Sequence, residues 1–198
     1  GSAVGCVLYV PVLRNFGGEG AVLYAATLAF AAAAAFTRDT SRPTPLLSKL
    51  SLGLAVVAIA LATLAPTALF EVPVAPSKAM VQHMALRPEL QVEHTRWDPI
   101  ARLDVIGPGP DDPTGQRMVF QDGDAPTVLP MGPVAMDPLA KEGLGYLLFR
   151  ETAPKVLAIG IGGGIDILQS QAPRTFPDGS RVDFTGVEIN AAMADLMR

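Results

Sequence analysis

Cysteine is nearly absent from this chain of 198 residues: Cys6 stands alone, inside an apolar run. A disulfide framework and a cysteine metal site are therefore excluded within the chain. Histidine is almost as scarce. His83 and His94 form no ligand cluster, and no metal is expected. Charge is missing over long stretches of residues 1–70, which hold four basic residues (Arg14, Arg38, Arg42, Lys49) and two acidic ones (Glu19, Asp39), a net of +2. The rest holds eleven basic and seventeen acidic residues, a net of −6. Hydropathy divides at the same place, so the chain reads as two regions. The acidic region carries no basic stripe, which argues against nucleic acid as a partner.

What the first region does contain is apolar sequence. Leu50–Phe70 (LSLGLAVVAIALATLAPTALF) is a charge-free run of 21 residues. A helix of that length spans roughly 30 Å, about the hydrocarbon thickness of a bilayer. Gly20–Phe36 adds 17 uncharged residues and Gly1–Leu13 an apolar stretch of 13. That last stretch lacks the charged start and cleavage site of a signal peptide, and reads as the tail of a helix that begins upstream. Soluble helices normally carry polar faces, and these have almost none. The expectation is transmembrane helices at about 1–13, 20–36 and 50–70 of a multi-pass inner-membrane protein, with the lipid bilayer as partner. Gly5, the alanines of 31–35 and Gly53 would let helices approach closely in lipid. None of the three runs contains Asp, Glu, Lys, Arg or His, so no carrier for an ion pathway is visible. The loop 37–49 carries Arg38, Arg42 and Lys49 against Asp39, which assigns it to the cytoplasm and everything after Phe70 to the outside. A cofactor found inside cells, argued below, demands the reverse. We expect the soluble region to be cytoplasmic.

From Glu71 onward the chain has the punctuation of a globular protein: a linker and β-hairpin region over 71–136, then the start of a cofactor-binding domain over 137–198. ARLDVIG (Ala101–Gly107) alternates as a half-buried strand does. PGPDDPTG breaks the chain, and QRMVFQDG (Gln116–Gly123) predicts a second strand of a hairpin with a long loop. Thr127–Leu129 adds a short strand. Asp137–Arg150 predicts a helix with Asp137 as N-cap and Pro138 at its first position. Next comes VLAIGIGGGIDIL. Val156–Ile159 has the pattern of a parallel strand buried on both faces, Gly160, Gly162, Gly163 and Gly164 make a turn, and Ile165–Gln171 starts a helix. Arg181–Val187 gives a second strand running into VEIN, and Asn190 caps a helix over Ala191–Arg198. This is a β-α-β unit of a doubly wound sheet, whose ligand site lies at the carboxyl ends of its strands. Such a sheet needs more strands, so the chain reads as truncated at both ends, and as inactive on its own.

Three ligand classes use a turn of this kind. A dinucleotide site wants G-x-G-x-x-G/A, but the sixth position is Ile165 counted from Gly160 and Ile167 counted from Gly162. A phosphate-binding P-loop needs Gly-Lys-Ser/Thr, which is absent. An adenosyl-methionine type site tolerates G-x-G-x-G, which Gly160–Gly164 satisfies. Its second strand ends in an acid that accepts hydrogen bonds from the ribose hydroxyls, and Glu188 stands at that position. Asp166, in the first turn of the following helix, is favoured there by the helix dipole and is also a candidate cofactor contact.

VLAIGIGGGID and VEIN resemble the cofactor motifs of spermidine synthases, the polyamine aminopropyltransferases. TRWDPIARLDV followed by FQDGDAPT resembles the β-hairpin region of the membrane-fused, spermidine synthase-like branch, and GSAVGCVLYVPVL is similar to a transmembrane helix of that branch. Many methyltransferases carry an acid two positions before the first glycine. Here that position is Ala158, and aminopropyltransferases usually lack the acid as well. The fold so implied is a transmembrane α-helical segment followed by α/β, with a β-hairpin region and an incomplete Rossmann-like (methyltransferase-type) doubly wound sheet. The resemblance implies decarboxylated S-adenosylmethionine as cofactor, or S-adenosylmethionine in a methyltransferase-type enzyme, and no metal. It implies transfer of the aminopropyl group to a small-molecule amine, whose neutral nitrogen attacks the carbon beside the sulfonium, accelerated mainly by proximity and orientation. Gly160, Gly162 and Gly164 would line the methionine-derived tail, Gly163 the same turn, Glu188 would hold the ribose, and Asp122 would lie near the active-site mouth on the substrate side. The chain departs from the family at Gly163, where soluble members have Asp, and at Pro126, where they have Gln. The family's Asp-rich motifs, which include the catalytic base, fall beyond Arg198, so no catalytic residue is assigned. Acceptor amine and oligomeric state stay open, a homo-oligomer included. A non-catalytic membrane protein with a degenerate cofactor domain is the alternative from another class.

Four further positions carry simpler expectations. Trp97 packs in the hairpin core rather than stacking on a ligand. Arg102 and Asp104 form a surface ion pair. Lys78, close after the last apolar run, snorkels at the interface. His83 and His94 lie on the surface.

Overall fold

A computed structural model describes residues 2–38, 44–109, 111–112, 115–129, 155–165, 179–180 and 183–196. The chain divides into two compact units, Gly1–Pro73 and Val74–Arg198, close to the division expected at Phe70.

In the first unit, α1 (Ser2–Phe36) joins the two runs expected at 1–13 and 20–36 into one element, broken at Gly17, whose φ of 72° is non-helical. Arg14 and Glu19, between those runs, are therefore helical residues. The second helix, α2, spans Pro45–Leu64 rather than 50–70. Its start moves forward because a proline is well suited to the first helical position. It stops early because Ala65 precedes Pro66 and is driven out of the helical region, to φ −155° and ψ 66°. Ser48 and Lys49 thus belong to a helix, not a loop. The Ser48 hydroxyl donates to Ala34 O at 3.1 Å and accepts from Arg38 Nε at 2.9 Å. At the other end, a Cβ on Gly20 would stand 3.5 Å from Ala62 O. Residues 18–36 and α2 therefore run antiparallel as a helical hairpin. Buried Glu19 closes its far end by accepting the Val72 N–H at 2.9 Å. Both helices are long and apolar enough to cross a membrane, with 22% of the most apolar window of each buried. Val7, Leu28, Val56 and Leu64 all face outward.

The second unit opens with α3 (Ala79–Leu86). A four-stranded antiparallel meander follows: β1 (Gln91–Trp97), β2 (Arg102–Gly107), β3 (Arg117–Gln121) and β4 (Ala125–Leu129), in the order β1-β2-β3-β4. The expected hairpin is its β2–β3 centre, in the register Leu103↔Gln121 to Ile106↔Met118. Two elements went unread. The β1 strand, QVEHTRW, is polar and largely exposed, and α3 is only 8 residues long.

Contrary to its half-buried reading, β2 is covered on both faces. Leu103 and Val105 pack with Ala101, Val119, Ala192 and Met193. Ile106 packs with Phe120, Leu90 and Met80 of α3. Burying each such side chain contributes roughly 1.5–3 kcal/mol. The Arg102–Asp104 pair is consequently not a surface pair: Asp104 is fully buried, its Oδ1 3.0 Å from Arg102 and accepting from Thr95 Oγ1 at 2.7 Å.

Beyond the meander, β5 (Lys155–Ile159) and β6 (Asp183–Val187) pair in parallel, from Lys155↔Asp183 to Ile159↔Val187, and α4 (Ala191–Leu196) follows. The parallel pairing is what the β-α-β reading expects of these two strands. The expectation that β5 is buried on both faces is not met: Leu157 and Ile159 are 63% and 80% exposed. Among the described residues the sheet has two strands, and nothing covers that face. The helix expected at Asp137–Arg150, that of Ile165–Gln171 after Ile165, the 136/137 boundary and Asp166 lie outside the described residues. The core around Leu103 nonetheless unites residues from both sides of that boundary.

Candidate functional site

The candidate site sits at the carboxyl ends of β5 and β6. The strands are locked there by Gly160 N–H, which donates to Val187 O at 2.8 Å. The chain then turns through Gly160, Gly162 and Gly164, whose φ values are 74°, 53° and 78°. Side-chain-bearing residues rarely adopt that region, which is why the glycines alternate as they do. Gly163 has an ordinary φ but a different constraint: a Cβ there would fall on Val128 O of β4.

Glu188 follows β6 directly. Its Oε2 accepts the Gly162 N–H at 3.1 Å and its Oε1 the Asn190 N–H at 2.8 Å. Two backbone donors thus fix the carboxylate across the turn, and each oxygen keeps one lone pair unspent by them. Those lone pairs are the acceptors that the two hydroxyls of a vicinal diol need, so these residues would suit a ribose. Asn190 is itself buried. Its Oδ1 accepts from Ala192 N–H at 3.0 Å and Met193 N–H at 3.3 Å, capping α4 as expected, while its Nδ2 has no hydrogen-bond partner.

The structure brings Gly160, Gly162, Gly163, Gly164 and Glu188 together. Asp122 is engaged elsewhere. At φ 50°, in the β3–β4 turn, it accepts the Arg102 N–H at 2.9 Å and donates its own N–H to Arg102 O at 2.8 Å. Trp97 is half-buried, with Arg102 Cζ 5.5 Å from its ring centroid. Lys78, expected to snorkel, pairs with Asp124 at 2.6 Å. His94 is exposed, but His83 is half-buried beside Phe120, its ring 6.3 Å away. The hydrogen bond from Lys78, then that from the Ala79 N–H, holds the Asp124 carboxyl below its ordinary range. Glu89 is lowered likewise, by a bond to its own backbone and by Arg87.

Sequence reading missed Thr127, whose Oγ1 accepts the Gly163 N–H at 3.0 Å; one threonine in a short strand gives no signal for that. It also missed the Arg117 cluster. Glu93 is the extra residue of a bulge in β1 and accepts from Arg117 Nε and Nη2 at 2.9 and 3.1 Å. The remaining guanidinium donors go to Asp112 O, Gly115 O and Gly109 O at 3.0, 2.7 and 3.1 Å. All five donors of Arg117 are spent. A cleft of ≈ 370 Å³ beside it, lined by Gln91, Val92, Glu93 and Arg117, therefore has no guanidinium donor to offer an anion. Among the described residues no group of three or more His, Cys, Asp or Glu is placed to hold a metal.

No protein family, curated protein or solved structure matches this chain.

Proposed function

We propose that the second unit binds an adenosyl sulfonium cofactor at the glycine turn, as the cofactor end of a membrane-anchored, spermidine synthase-like aminopropyltransferase. The observation that carries this is Glu188, held by Gly162 and Asn190 with a lone pair left on each oxygen. In this reading β5 and β6 are the first strands of a doubly wound sheet, Glu188 accepts the two ribose hydroxyls, and the Gly160 side of the turn receives the sulfur-bearing tail. Decarboxylated S-adenosylmethionine supplies the electrophilic carbon, and a small amine accepts the aminopropyl group. This chain's own contribution is to bind and orient. The helices of the first unit anchor the protein in the bilayer, an assignment supported by the outward-facing Val7, Leu28, Val56 and Leu64. The soluble unit lies in the cytoplasm, where adenosyl cofactors are found.

A methyltransferase-type site on the same fold is the second reading. It is favoured by the glycine turn itself, which serves both cofactors, and by Pro126 standing where the resembled family has Gln. Titration calorimetry on the full chain in detergent micelles separates the two. Preference for decarboxylated S-adenosylmethionine over S-adenosylmethionine supports aminopropyl transfer, and the reverse supports methyl transfer. Binding of NAD with neither adenosyl compound bound refutes both.

A further inference from the structure

The glycine turn is lopsided. Among the described residues, a Cβ on Gly160 would meet no heavy atom within 4 Å, whereas one on Gly162 would stand 3.1 Å from Thr127 Oγ1, and one on Gly163 would fall on Val128 O. Strand β4 therefore lies against one side of the turn and leaves the other open. The contact is bonded as well as packed, because Gly163 N–H donates to Thr127 Oγ1 at 3.0 Å. Thr127 is anchored in turn. It pairs with Val119 of β3, which is fully buried in the core around Leu103. The hydroxyl is thus fixed to the antiparallel core rather than to a loop.

We propose that Thr127 is a positioning residue for the glycine turn, holding Gly163 so that a ligand's tail lies along Gly160 and Gly162, with β4 as the closed wall. This rests on the adenosyl reading of the turn. Accepting from Gly163 uses one lone pair of Oγ1; a second lone pair and the hydroxyl proton remain beside Gly162. Valine in place of Thr127 keeps the shape and removes all of these. Serine keeps them and removes only the methyl group.

The test is calorimetry with 5′-methylthioadenosine on the full chain, its Thr127→Val and its Thr127→Ser variants, beside amide hydrogen exchange at Gly163. We expect T127V to weaken binding about tenfold, the worth of one hydrogen bond, and T127S to bind within about threefold of the natural chain. T127V binding as tightly as the natural chain overturns the proposal, as does equal loss in T127S. If the natural chain binds no adenosyl compound, the adenosyl reading fails by itself, and exchange decides for Thr127. The Gly163 amide then exchanges about tenfold faster in T127V and near the natural rate in T127S, and an unchanged rate in T127V overturns the claim. Should T127V melt far below the natural chain, Thr127→Ala takes its place in both measurements, read by the same outcomes.

Discussion

The antiparallel meander and the parallel pair β5–β6 differ in what holds them. The meander has a core on both faces of β2, built from Leu103, Val105 and Val119 on one side and Ile106 and Phe120 on the other. The parallel pair has Leu157 and Ile159 in the open, and its turn is held by backbone N–H groups that donate to Glu188 and Thr127. One region is specified by burial, the other by glycine geometry and a few polar contacts. The lesson is that polar groups at the end of a sheet can fix the path of a turn where little apolar cover does.

Substitutions can break that contrast. The largest effect belongs to the meander's polar anchor. Arg117→Met strands the Glu93 carboxylate and leaves the carbonyls of Gly109, Asp112 and Gly115 without their donor, at a cost of about 3–5 kcal/mol. Denaturant unfolding of the second unit checks it, and a loss near zero would mean the cluster does not hold the β2–β3 loop.

Next comes the apolar comparison. Leu103→Ala, at a fully buried position, costs roughly 2–5 kcal/mol. Leu157→Ala costs about 0.5 kcal/mol or less. Equal losses in the two variants would show that β5 is covered as well as β2.

The turn itself gives a smaller, graded pair. Gly163→Ala drives the turn and Val128 O of β4 apart and costs roughly 1–3 kcal/mol. Gly160→Ala meets no atom, and only its φ of 74° opposes it, by about 1 kcal/mol. Melting temperatures of the two variants rank them, and the reverse order would mean that β4 does not press on the turn.

The smallest effect is a pH dependence. Asp124 titrates below its ordinary value because it is bonded to Lys78 and the Ala79 N–H. A lowered folded value means stabilisation that is full above the unfolded value, near pH 4, and lost as pH falls through the folded one. Asp124→Asn should therefore show a shallower loss of stability below about pH 4 than the natural chain. Superimposable acid limbs would refute this.

Much of this was legible in sequence where local chemistry dictates structure. The three charge-free runs announced apolar helices, the first two of which are joined in α1, the glycine spacing announced a turn that only glycine makes easily, and Asn190 announced the α4 cap. What was not legible depended on partners distant in sequence. β1 is polar because it is an edge strand, so its pattern carried no period. Asp104 looked like a surface charge because nothing local reveals that β2 is central and that Thr95 lies across from it. The Pro45 start and Ala65 stop of α2 were readable from proline chemistry, yet the unbroken hydropathy through Phe70 hid them. Thr127 belongs to β4, and only the folded sheet brings it to Gly163.

If the second unit binds an adenosyl group as proposed, Glu188 accepts the ribose hydroxyls. The most direct measurement is a cycle of four affinities by calorimetry: the natural chain and Glu188→Gln, each with 5′-methylthioadenosine and its 2′-deoxy analogue. We predict that the natural chain binds the ribose compound about tenfold or more tightly than the deoxy one, a hydrogen bond to a charged group being worth about 1.5–3 kcal/mol. In E188Q that preference should largely vanish. Equal binding of the two compounds by the natural chain, or an undiminished preference in E188Q, would contradict the account.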